Sequence, residues 1–207
     1  MMTFRDKLTS RQEEILVSSL EIVAQEGSRA LTMKRVAGVV GVTEAAIYRH
    51  FENKRHLLLA LYGYVKELLL SELSPVLAED LPIPEKLALF VEITLDYLSK
   101  HRGINLILLA ETIYHQDEEL RKAMLNIFSG FRGLAKAIIM AGIASGDFRR
   151  DIDIDWFATF LAGMMQSVMT NNMLENGAAG DFKVEAAKKA IPDCILKGIM
   201  PRPPASA

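Results

Sequence analysis

An all-α protein is what this sequence predicts, on three observations. Apolar residues recur every three or four positions through most of the 207-residue chain. No run alternates Val, Ile and Thr with polar residues as a half-buried strand would, and Gly, Pro and short polar residues stand where helices must start and stop. The expected architecture has about nine helices. Three form an N-terminal head, residues 1–53; a larger helical body follows, residues 54–200; and a Pro-rich tail, 201–207, is expected to be disordered.

The most explicit elements lie in residues 31–54, LTMKRVAGVVGVTEAAIYRHFENK, where two short helical patterns meet at a tight Gly-Val turn. Gly41 can take the left-handed backbone that stops a helix, and the Thr43 hydroxyl can cap the next one, so the stretch reads stop, turn, start. Val36, Ala37 and Val40 make one apolar stripe, and Val42, Ala46, Ile47 and Phe51 another, which would hold the two helices together. Glu44, Ala45, Tyr48 and Arg49 are left facing outward on the second helix, whose small Ala45 and Ala46 allow close approach. A helix of this size fits the major groove of B-DNA. His50 and Lys54 follow at its far end, while Thr32, Lys34 and Arg35 open the helix before it; such groups donate to phosphates, which contribute affinity but no sequence information.

Thr32, Val36, Ala37, Gly41, Val42, Thr43, Ile47, Tyr48, His50, Phe51 and Lys54 match the spacing of a known helix-turn-helix pattern, and the stretch resembles the DNA-binding region of TetR-family transcriptional regulators. The similarity extends upstream through Ile15, Leu16, Ser19, Leu20, Val23 and Gly27, and downstream to Leu57, Leu58 and Leu61, covering about the first 65 residues. The resemblance implies that Lys34, Glu44, Ala45 and Tyr48 face base edges or the sugar-phosphate wall, and that Thr32, Thr43, His50 and Lys54 hold phosphates. Glu44 has two readings: its carboxylate accepts from a cytosine amine, or it merely complements the helix dipole and points away from the bases.

In the body, a fourth helix over 54–77 links to the head, with Pro75 kinking or ending it. Pro82 and Pro84 start the next, which buries Leu87, Phe90, Val91, Thr94, Leu95 and Leu98 and reaches His101. Gly103 separates it from 104–115, apolar on nearly every face and so expected to be buried. Further helices are expected over 117–145, over 156–175 behind Asp153 and Asp155, and over 184–199.

Polar groups within these apolar helices, Tyr97, Asn105, Glu111, Thr112 and His115, must pair, face solvent or meet a ligand. With Leu108, Phe128, Phe131 and the flexible side chains of Met124, Met164, Met165 and Met169 they form the candidate pocket, to which Met140 was a further candidate. Glu111 and His115, four residues apart, are a possible metal pair but lack a third ligand at recognisable spacing, so no metal and no cofactor is expected. A monomer of this size has difficulty covering the apolar helix over 156–175, which reads either as ordinary monomer core or as a face for a partner, one face serving each. The resemblance implies that the last two helices form a homodimer interface, for which Phe157, Phe160, Leu161, Met165, Val168, Ile191 and Ile195 are the candidates.

Charge is unevenly placed. The chain carries a formal net charge of -2, yet residues 1–60 hold nine Lys/Arg against seven Asp/Glu. A mildly basic head on a mildly acidic body suits focused contacts with DNA rather than diffuse attraction. The lone Cys194, expected to be a buried small hydrophobe, rules out an intramolecular disulfide and is compatible with a reducing compartment. The N-terminus MMTFRDKLTSRQEE offers no signal-peptide stretch, and charge interrupts the longer apolar runs, so a cytoplasmic protein with no membrane partner is expected. No motif of a hydrolase, zinc protease or phosphate-binding loop appears. The reading favoured is a ligand-responsive regulator, a repressor, that binds a palindromic operator as a homodimer and is released by a small apolar effector. The alternatives are a DNA-bound scaffolding protein without an inducer and, last, a helical carrier or enzyme.

Overall fold

The computed structural model describes residues 4–177 and 181–200; the tail at 201–207 lies outside the described residues. Among them are nine α-helices and no strand. The head contains α1 (Ser10–Glu26), α2 (Met33–Val40) and α3 (Glu44–Tyr48). The body contains α4 (Lys54–Leu73), α5 (Ile83–Lys100), α6 (Ile104–His115), α7 (Glu118–Ser145), α8 (Ile154–Asn176) and α9 (Glu185–Ile199).

Short polar side chains set most of the helix starts. Thr9 and Gln12 form a reciprocal capping box on α1. Thr32 caps α2, Thr43 caps α3, Asn53 caps α4, Asp117 caps α7 and Asp153 caps α8, each accepting from a free N–H of the first turn. Pro75 ends α4 as expected, at Leu73, and the chain continues as a short 3-10 turn, Ser74–Ala78.

The longest helix, α7, is the centre of the body: α4, α5, α6 and α8 all pack on it, and α9 closes over α5. The head is seated rather than suspended, because α1 packs on α4 and α6 as well as on α2. Three expectations change here. Only Ile104, Leu108, Glu111 and Thr112 of α6 are buried, while Ile113 and Tyr114 are 68% and 77% exposed. One side of this short helix meets α1 and α7 and the other meets no described neighbour. Cys194 is exposed, since Ile191, Ile195 and Ile199 take the inward stripe of α9. Finally, α7 is by length and composition apolar enough to cross a membrane, Arg132 and Lys136 notwithstanding; here α4, α5, α6 and α8 pack on it and a third of its apolar window is buried.

The return from α7 to α8 rests on a close approach. Phe148 is 1% exposed and its ring lies flat against Gly142, where an added Cβ would come within 2.2 Å of a ring carbon. The ring is fixed by the surrounding core and its backbone N–H, which donates to the Gly142 carbonyl at 3.0 Å. Gly142→Ala should therefore overpack the site and destabilise by about 1–3 kcal/mol. A thermal melt should show a loss of roughly 2–4 °C per kcal/mol for a chain of this length; an unchanged melting temperature would show that Phe148 can swing away.

Candidate DNA-binding surface and body cavity

The head presents the turn that the sequence implies. Gly41 is left-handed, with φ 75° and ψ 32°, and the Val42 N–H donates to the Ala37 carbonyl at 3.0 Å. Thr43 Oγ1 then accepts from the Ala46 N–H at 3.3 Å, so only Gly41, Val42 and Thr43 separate α2 from α3. Val36, Ala37, Ile47 and Phe51 are buried between the helices, and Val40, Val42 and Ala46 are partly so. Thr32, Lys34, Thr43, Glu44, Ala45, Tyr48 and Arg49 are all exposed, forming one outward surface across α2 and α3. Tyr48, at 46% exposure, is the large aromatic of that surface.

Two of the candidate phosphate donors are partly committed within the protein. Lys54 Nζ donates to the Ser28 carbonyl at 3.4 Å and is only half-exposed. Arg35 pairs with Glu26, Nη2 to Oε1 at 2.6 Å, which the sequence could not reveal because the partner lies nine residues upstream in another helix. The Thr32 and Thr43 hydroxyls accept as caps, which leaves each free to donate its own hydrogen. His50 is half-buried at the end of α3.

The first turn of α4, next to the head, is tied to the start of α7 by a cluster absent from the expectations. Arg55 Nε donates to Asp117 Oδ2 at 2.5 Å, and its Nη2 donates to Asp117 Oδ1 at 3.1 Å and to Glu119 Oε2 at 2.6 Å. Asp117 also caps α7 through the Glu119 and Leu120 N–H groups. These donors, Arg55 foremost, hold its carboxyl well below the ordinary 3.8, at about 2. A second tie lies further along α4: the Tyr62 hydroxyl donates to the Leu108 carbonyl of α6 at 2.7 Å and sits 2.8 Å from the Thr112 hydroxyl. Burial raises the Tyr62 phenol to about 12, which keeps it a donor.

Between α4, α5, α6, α7 and α8 lies an apolar cavity with about 50 Å³ of room for water-sized molecules. Of the candidate pocket residues it brings together Asn105, Met124, Phe128, Phe131, Met165 and Met169. The remaining candidates lie elsewhere. The Tyr97 hydroxyl donates to the Val65 carbonyl at 3.2 Å, and Leu108 and Thr112 serve the tie to Tyr62. Glu111 and His115 face each other at 2.8 Å, on the part of α6 beyond the cavity, and no third metal-ligating side chain joins them among the described residues. Met164 is only half-buried and Met140 is 58% exposed, both turned from the cavity by their helix registers. Leu69, Thr94, Leu98 and Ala162 were missed as lining residues. Nothing local marks them, because α4 and α5 expose the same apolar residue types to core and cavity alike.

On α8 the apolar circumference divides into two stripes. Leu161, Met165 and, on α9, Ile191 and Ile195 are buried in this chain's own core, which removes them as interface candidates; Phe157 and Val168 pack partly against it. The exposed stripe is shifted round the helix: Trp156, Phe160, Gly163, Ser167, Thr170 and Leu174, at successive spacings of four and three. Trp156 and Phe160 are 60% and 61% exposed, with their rings stacked at 5.7 Å. Spacing of this kind is the seam of two packed helices.

Residues 15–61 match the profile of bacterial regulatory proteins of the tetR family, and residues 66–198 match that of the C-terminal region of YsiA-like protein, a tetR-type C-terminal domain. The nucleoid occlusion factor SlmA of Marinobacter nauticus is 26% identical over 173 residues, 80% of this chain and 87% of that protein. The SlmA of Vibrio vulnificus is 29% identical over 123 residues, and this chain spans just under two thirds of it, 63%. Among solved structures, a putative transcriptional regulator from Saccharomonospora viridis in complex with choline aligns with a TM-score of 0.81 at 22% identity, over 94% of this chain and 100% of the other. The regulator FadR from Bacillus subtilis, in complex with stearoyl-CoA, aligns with a TM-score of 0.73 at 21% identity, over 90% and 98%. These neighbours share the all-helical fold.

The carboxyl of Asp117 gives a direct readout of the tie between α4 and α7. Its depressed value means that the tie is fully present above about pH 4 and is lost as the pH falls toward about 2. Followed by NMR, Asp117 should titrate near the lower value in the intact chain and return toward roughly 3.9, the unperturbed carboxylate, in Arg55→Ala. A carboxyl that titrates identically in both would remove Arg55 as its partner.

Proposed function

This chain belongs to the tetR family of bacterial regulatory proteins, transcriptional regulators and not enzymes, and we propose that it is a ligand-responsive repressor that binds a palindromic operator as a homodimer. The observation that carries the reading is the exposed surface formed by Lys34, Glu44, Ala45 and Tyr48 on the two helices around Gly41. In this proposal Lys34, Glu44 and Tyr48 meet base edges, while Thr32, Thr43, Arg49 and His50 meet phosphates, with Arg35 and Lys54 released from Glu26 and Ser28 or left as positioning groups. Residues 1–53 move as the reading head and residues 54–200 form the sensing body, in a cytoplasmic protein whose partner is chromosomal DNA.

A homodimer is supported by the exposed stripe on α8. Two copies joined along it would bury Trp156, Phe160 and Leu174, with Gly163 and Ser167 letting the helices approach closely. Release by an apolar effector is supported by the cavity and by where α6 leads. Its first turn lines the cavity through Asn105 and Leu106, and beyond its last turn the chain enters Asp117, which holds Arg55. A ligand that displaces α6 would act on α4 through both polar ties and change the separation of the two heads. Coupling of this kind is typically worth about 1–3 kcal/mol. A second reading, a DNA-bound factor that acts without an inducer, is favoured by the SlmA relatives.

Duplexes selected from a random pool by the intact chain supply the test. Tyr48→Ala should weaken binding to them by about 1–3 kcal/mol, and Lys34→Ala should relax the selected sequence. Affinity should fall steeply with salt, and Arg49→Ala should lower the slope of log K against log salt by about one. Wild-type affinity and slope in all three variants would place the reading surface elsewhere. For the interface, Phe160→Glu should yield monomers in light scattering, whereas Ser129→Glu on α7 should leave the dimer intact; a dimer that survives Phe160→Glu and Trp156→Glu together would move it off α8.

A further inference from the structure

The cavity's lining restricts the chemistry of what it can hold. None of the residues that line it carries a charge; its polar members are Thr94, Asn105 and Gln166. Thr94 is spent, its hydroxyl donating to the Phe90 carbonyl at 2.7 Å. Asn105 is not: its Oδ1 is buried with no hydrogen-bond partner among the described residues. An unpaired buried acceptor costs free energy in the empty protein, and that cost is recovered when a donor arrives.

Two ligand classes fail on these groups. A carboxylate in this cavity would lose its hydration with no Arg, Lys or His in the lining to replace it, and would meet the Asn105 oxygen as a repelling neighbour. A quaternary ammonium would find Phe128 and Phe131 but no carboxylate and no tyrosine or tryptophan, an incomplete cage for a buried cation. A neutral molecule escapes both penalties. Its apolar part replaces water against Met124, Phe131, Met165 and Met169, whose unbranched side chains adapt to its shape.

We infer that the buried part of the effector is uncharged, an apolar chain or ring bearing one hydroxyl or N–H group that donates to Asn105 Oδ1, so that the site rejects free carboxylates and quaternary ammonium ions. This rests on the reading of the cavity as the effector site. Because Asn105 stands in the first turn of α6, the hydrogen bond also attaches the ligand to the helix that leads to the Arg55 tie.

Three probes of equal chain length separate the cases: octan-1-ol, octanoate and octyltrimethylammonium, titrated calorimetrically into the full-length chain at pH 7.5. The alcohol should bind at least tenfold more tightly than either ion, and Asn105→Leu should weaken it about fivefold or more, since one hydrogen bond is lost, while leaving the ions unchanged. Octanoate binding within twofold of octanol, or octanol affinity unaltered by Asn105→Leu, overturns the inference. Ala162→Phe, which fills the cavity, should abolish octanol binding; the smaller Ala162→Met serves if the first variant does not fold. Octanol that still binds to the filled variant, or no probe binding to the intact chain, overturns the reading of the cavity itself and the inference with it.

Discussion

One helix, α4, carries a single core from the head into the body, and the rest of the molecule is arranged around it. Leu57 and Leu61 are fully buried near its start, where α1 packs, and Val65, Leu69 and Leu73 are buried along the part that meets α5 and α7. A rigid helix cannot tilt at one end of a close-packed core without moving at the other. The head, which rests through α1 on α4 and α6, is therefore oriented by the body's own packing. Gly130 sharpens the constraint: a Cβ there would come within 2.9 Å of Leu70, so α7 approaches α4 as closely as the side chains allow.

The polar ties differ from this packing in strength and so in role. Arg55 and Glu119 are exposed, and an exposed ion pair contributes at most about 1 kcal/mol and is screened by salt. Burying the leucines of α4 contributes about 1.5–3 kcal/mol each. Stability therefore comes from the apolar contacts, while the Arg55 cluster fixes the start of α4 against the start of α7. A tie this weak can break without unfolding anything. Tyr62 is the exception among the ties: it is fully buried, and its hydroxyl joins a pair already made within α6, where the Thr112 hydroxyl donates to the Leu108 carbonyl at 2.9 Å.

The legible and illegible parts of the sequence follow from how far apart the interacting groups lie. Gly41 and Thr43 define the turn within three residues, so stop and start could be read directly, and the buried set Val36, Ala37, Ile47 and Phe51 follows from spacing alone. The cavity was half legible. Met124, Phe128, Phe131, Met165 and Met169 announce themselves as flexible or aromatic groups in apolar helices, but Leu69 and Leu98 are chemically the same as their core neighbours and differ only in what happens to stand opposite. Arg55 and Asp117 are 62 residues apart, and nothing in either neighbourhood names the other.

The α8 stripes show why composition misleads at an interface. A helix apolar on one side points its stripe inward, and the sequence decides its orientation. A helix apolar all round gives no such instruction, so Leu161 and Phe160 look equivalent until tertiary packing assigns one to the core and the other to the surface. The buried stripe is filled with Ala158, Leu161, Met165 and Met169, large groups with one small gap. The exposed stripe places Gly163 and Ser167 between Phe160 and Leu174. Small residues flanked by large ones make poor filling for a core but a good saddle for a second helix crossing at close range. The two stripes thus differ in the order of their sizes as well as in polarity, Ser167 and Thr170 standing only on the exposed one, and that order is what favours the exposed stripe as the proposed contact.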